Sequence, residues 1–151
     1  MMKAQKSILE FLDYRITKFE YINASFKEIK NINYEVLINT KIGKPVLEDK
    51  SNKYLSRLDL DIQIKGKSGR TVPVKVKCSI SGLFSASTEI NEEEFLKLCS
   101  TSGFANLIMI SRSVIISFTS QTGNKPIVLP LINLLKTYEK RFKEGNIKKG
   151  D

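Results

Sequence analysis

The sequence contains no histidine and no tryptophan, and among its 151 residues there are only two cysteines and four prolines. Without histidine, ordinary imidazole acid–base chemistry is excluded, and a zinc site of the usual Cys/His kind lacks ligands. No Gly-rich phosphate loop, metal-ligand cluster or paired-carboxylate motif stands out, so neither an enzyme nor a cofactor is expected. Long apolar runs are also missing. Leu107–Ile110 and the Pro-interrupted stretch from Ile127 to Leu135 fall well short of the roughly 20 residues that span a bilayer. Lys3 and Lys6 lead into Ile8–Asp13, where Glu10 and Asp13 interrupt any signal-peptide apolar region. The expectation is a cytoplasmic protein that does not insert into membranes. Cys78 and Cys99 sit among apolar neighbours and read as small buried hydrophobes.

What is present suits a folded chain. Apolar residues make up 41% and charged residues 27%, enough to build a core. The length fits one domain, placed at 1–145, with a disordered basic tail at 146–151. The formal charge of +9 comes from 25 basic against 16 acidic residues.

The clearest local signal is a hairpin. Leu58, Leu60, Ile62 and Ile64 alternate with polar residues, as do Val72, Val74, Val76, Cys78 and Ile80, so even positions pair with even ones on a shared apolar face. Gly66–Gly69 is read as the turn, which sets Asp59 and Asp61 beside Lys75 and Lys77. Leu9–Ile22 and Tyr34–Ile42 also read as extended, giving four antiparallel strands. In the first, the apolar set changes parity after Ile16, which predicts a bulge near Thr17 or Lys18. Residues 43–53 read as a long connection.

Asn91, with Glu94 three residues on, predicts a helix from Glu92. Glu92, Glu93 and Glu94 suit its positive end better than catalysis. The stretch from Phe104 to Ser120 is ambiguous: Phe104, Leu107, Ile108, Ser111, Val114, Ile115 and Phe118 fit one helical face, yet Val114–Ile116 is β-branched. Asn133 predicts the cap of a last amphipathic helix, running from Leu134 to about Glu144 and closed by Gly145.

The region from about Leu58 to Tyr138 resembles the SecB family of protein-export chaperones. Ser81–Ser85 matches its Gly-Ile/Leu-Phe strand end, and Glu94–Cys99 its first helical turns. Phe104–Thr119 takes the place of its long helix, with Arg112 at the arginine of its Tyr-Ala-Arg motif. Pro126–Leu134 is similar to its Phe-Pro-Pro-Leu-x-Leu-x-Pro-Val/Ile-Asn-Phe segment. The resemblance implies an α+β fold: a four-stranded antiparallel sheet with a long helix and a C-terminal helix packed on one face. It makes Phe104–Ser120 a helix against raw propensity, a preference worth under about 1 kcal/mol per residue. It further implies a homo-oligomer, dimer or tetramer, and the subunit interface is placed at Phe104, Ile108, Arg112 and Ile115. The sequence departs from the family at Ser100, Met109–Ser111 and Leu134. Lys77 stands at a key glutamate of the acidic face that meets the translocase ATPase SecA, so docking on SecA in that manner is not expected.

The resemblance points to an ATP-independent holding chaperone for unfolded or preprotein clients. By analogy, the client-binding groove is placed at Ile42, Val46, Leu47, Tyr54, Leu83, Phe84, Leu135, Tyr138 and Phe142. Two alternatives stay open: a SecB-like chaperone of a toxin–antitoxin system, and a basic nucleic-acid-binding β domain. The latter would use Phe19, Tyr21, Tyr34 and Tyr54 for base stacking.

Overall fold

The computed structural model describes residues 1–148, and the side chains of 142–148 lie outside the description. Five strands and three α-helices follow one another: β1 (Glu10–Asn23), β2 (Asn33–Ile42), β3 (Val46–Glu48), β4 (Lys53–Ser68), β5 (Thr71–Ser87), α1 (Glu92–Leu98), α2 (Phe104–Thr119) and α3 (Leu134–Lys148). The antiparallel sheet has the order β1-β5-β4-β2, with β3 paired to the start of β4. The fold is therefore α+β. The short strand β3, inside the predicted connection, makes the sheet five-stranded rather than four-stranded.

The alternation of β4 and β5 sets the layers. Leu60 pairs with Ile80, Ile62 with Cys78 and Ile64 with Val76, and all six are buried. Even positions share the core face, as the sequence pattern requires. The turn, however, lies at Gly69–Arg70, because β4 continues through Ser68 and Gly69 takes the positive φ of 59° that a tight turn needs. The register shifts accordingly. Asp59 and Asp61 face Ser81 and Ser79 instead of lysines, while Lys75 faces Lys65. Burial raises the Asp59 pKa, but hydrogen bonds from Ser81 and Arg57 outweigh it and hold the carboxyl below its ordinary value.

β1 slips by one residue at Thr17, where Ile16 pairs with Ile80 and Lys18 with Ser79. That bulge is the predicted one; a second lies at Leu12, between Phe11 and Asp13. The two slips keep Ile16, Phe19 and Tyr21 on the core side, all half-buried.

Asn91 caps α1 by accepting a hydrogen bond from the Glu94 amide at 2.8 Å. One π-helical turn, Cys99–Gly103, joins α1 to α2. The helical run Glu92–Thr119 is long and apolar enough to cross a bilayer, but Phe95, Cys99, Phe104, Leu107, Ile108, Ser111, Ile115 and Thr119 are buried within the fold. Tertiary packing thus overrides the β-branched preference of 114–116. Two glycines permit the close approach. A Cβ on Gly82 would lie 2.8 Å from the Leu107 side chain, and one on Gly103 would lie 2.7 Å from that of Leu58.

After α2, the buried Thr119 hydroxyl accepts a hydrogen bond from the Ile127 amide at 2.9 Å, fixing an extended segment in which Ile127 and Leu129 are buried. Asn133 then caps α3, accepting from the Lys136 amide at 3.0 Å. The helix passes Gly145 and continues to Lys148, beyond the predicted end, since one interior glycine costs a helix only about 1 kcal/mol. Of the tail placed at 146–151, residues 149–151 lie outside the described residues.

Candidate functional site: a groove between the β2 edge and α3

β2 is an outer strand with one side unpaired, and its register with β4 runs without a slip from Asn33 to Ile42. Val36, Ile38, Thr40 and Ile42 pair with Ile64, Ile62, Leu60 and Leu58, which turns them to the helix face. There they stay half-buried, because no element covers them completely. α3 runs opposite. Its Tyr138 hydroxyl donates to the Ser100 carbonyl at 2.8 Å, which ties the helix to the π turn. Burial raises the Tyr138 phenol above its ordinary pKa, and the Thr40 hydroxyl and Arg141 partly offset this.

Between them lies a cavity of about 360 Å³, lined by Val36, Ile38, Thr40 and Ile132 on its apolar side and by Tyr138, Lys140 and Arg141 from α3. Ile132 also borders a shallower depression of about 470 Å³ formed by Thr101, Leu131 and Leu135. The two make one open, mostly apolar groove along an unpaired strand edge. Leu131 and Leu135 remain largely exposed along it, whereas Leu37, opposite Gln63, turns its side chain to the open face of the sheet. Among the described residues, no group of three His, Cys, Asp or Glu is placed to hold a metal. Burial pushes the Cys99 thiol up to about 11 and raises Cys78 as well, so neither is a nucleophile at neutral pH.

The nine groove residues predicted from sequence do not form one surface. Leu135 and Tyr138 do belong to the groove, and Ile42 lies at the end of β2 on the same face. Phe84 has no exposed surface; it is a core residue against which Phe11 packs edge-on, with ring centroids 4.6 Å apart. Tyr54 stacks on Phe95 at 5.3 Å, with Leu47 paired beside it. Val46 and Leu83 follow Leu55 and Arg57 onto the opposite, open face of the sheet. The reason is parity: neighbouring residues of a strand point to opposite faces, so Leu83 and Phe84 cannot serve one groove. Phe142 lies outside the residues whose side chains are described.

The predicted subunit interface is likewise divided. Phe104, Ile108 and Ile115 are buried in the chain's own core, leaving no area for a partner, while Arg112 is half-buried. The apolar side chains that α2 leaves exposed are Met109, Ile116 and Phe118. Of the aromatics suggested for base stacking, Phe19 and Tyr21 pack against Phe118, and Tyr54 packs against Phe95. Only Tyr34 keeps about half its surface open.

Sequence reasoning missed Val36, Ile38, Thr40 and Ile132. One signal was available. The alternation of Val36, Ile38 and Ile42 with Glu35, Asn39 and Lys41 already sets the former on one face of the strand.

No family model and no curated relative matches the chain. Among solved structures, the fold is similar to the Mycobacterium tuberculosis SecB-like chaperone Rv1957, solved in complex with a ChAD peptide from the HigA1 antitoxin Rv1956. The TM-score is 0.61 at 16% identity, over 83% of this chain and 91% of that one. A Streptococcus agalactiae protein of unknown function aligns at a TM-score of 0.47 and 13% identity, over 82% and 97% of the two chains. The chain has a SecB-like fold.

Proposed function

We propose that the protein is a cytoplasmic, ATP-independent holding chaperone that binds extended or unfolded polypeptide segments in the groove between β2 and α3. The observation that carries this reading is an apolar groove left open beside a straight, unpaired strand edge. Monomeric folds ordinarily cover both features. An extended client laid along β2 gains main-chain hydrogen bonds whatever its sequence, and its apolar side chains leave water against Val36, Ile38 and Ile132. Removing about 300 Å² of apolar surface from water is worth roughly 7 kcal/mol before ordering costs are subtracted. No nucleotide enters this cycle.

The complex of the M. tuberculosis neighbour with an antitoxin peptide supports a client of the antitoxin kind over general export. Lys65, Lys75 and Lys77 on the open sheet face argue in the same direction, against docking on SecA through an acidic face. We further propose that copies of the chain assemble through the outer side of α2, at Met109 and Ile116.

The test is suppression of aggregation of a chemically denatured client without ATP. Leu131→Ser with Leu135→Ser removes two exposed groove side chains at a stability cost within about 0.5 kcal/mol each. The wild type is expected to suppress aggregation at stoichiometric ratio and the double variant to lose most of that activity. A folded double variant that protects as well as the wild type would defeat the assignment.

A further inference from the structure

The groove is not electrically neutral. Its apolar floor is bordered from α3 by two cations, Lys140 and Arg141, and among the described residues no carboxylate lines it. The nearest acid on β2, Glu35, is engaged by Lys67 at 2.8 Å. Over its length α3 carries five basic residues, Lys136, Lys140, Arg141, Lys143 and Lys148, against two acidic ones, Glu139 and Glu144. A segment held along β2 therefore meets hydrocarbon on the floor and positive charge on the rim.

We propose that this groove selects extended segments in which carboxylates are interspersed among apolar residues, and disfavours basic segments of the same hydrophobicity. The inference rests on the groove being the client site. Selection follows from two facts. Strand pairing at an edge is sequence-blind, so discrimination must come from side chains. A lysine-bearing client would bring like charge against Lys140 and Arg141 while burying the same apolar area, whereas a glutamate-bearing one pairs with them. Arg141 adds a planar donor set that accepts a carboxylate in two-point fashion.

The experiment is fluorescence anisotropy with three labelled valine- and leucine-rich peptides of equal length, in which every third residue is glutamate, glutamine or lysine, so that both faces of the extended chain carry the variable group. At low salt the expected order is glutamate, then glutamine, then lysine, with about three- to tenfold between neighbours for one or two exposed pairs. The differences should shrink below about twofold at high salt, because rim charges are screened. Lys140→Gln with Arg141→Gln should flatten the order, and K140E with R141E should invert it, helicity being checked by circular dichroism. Equal affinity for the three peptides, or an order untouched by those substitutions, overturns the charge selection. The glutamine peptide tests the groove separately. If it binds the wild type and is lost on Leu131→Ser with Leu135→Ser, the groove stands whatever the charge order; if no peptide binds, both ideas fail.

Discussion

Phe84 shows how one residue can be right for the fold and wrong for the site. It sits near the end of β5, in the Ser81–Ser85 stretch whose resemblance to a SecB strand end invites a role in holding clients. Its ring is enclosed instead, between Phe11 and the α1–α2 layer. We expect Phe84→Ala to cost about 3 to 5 kcal/mol of stability, the range for an aromatic removed from a packed core. Denaturant unfolding checks this, and a loss under about 1 kcal/mol would show that the ring is not the keystone described here. Parity decides such cases. Leu83 and Phe84 are equally apolar, and only their positions along the strand tell which one faces the helices.

The elements were largely legible because local and global signals agreed. Even-to-even pairing of β4 with β5, the slip at Thr17 and the caps at Asn91 and Asn133 all follow from residue type and spacing. The exact register of the hairpin was not. Two glycines, Gly66 and Gly69, offered turns, and nothing local distinguishes the one with positive φ from the one over which Tyr34 and Ile32 pack. α2 was legible only through resemblance, since its β-branched run favours a strand until the sheet beneath it is considered. Gly82 is the position where that sheet receives the helix. Gly82→Val should cost about 1 to 3 kcal/mol by overpacking against Leu107 and Phe84. An unchanged urea midpoint would mean that α2 does not seat on this strand as closely as the structure has it.

Across the whole molecule, the groove is a product of topology. β2 is second in the chain but outermost in the sheet, and α3, the last helix, returns to lie beside it. Residues nearly 100 positions apart thus line one channel, which explains why reading the sequence found Tyr138 and Leu135 but not Val36 or Ile38. The other outer strand, β1, carries two bulges, a feature that disturbs edge pairing. The contrast gives the molecule one smooth edge, and that edge has an apolar groove beside it.

Hydrogen exchange of the protein with and without a bound unfolded client tests this account most directly. Client binding is predicted to protect amides of β2, residues 33–42, together with the 131–138 segment, while the open-face residues of β4 and β5 exchange unchanged. Protection confined to β1 or to the hairpin around Gly69, with β2 unaffected, would contradict it.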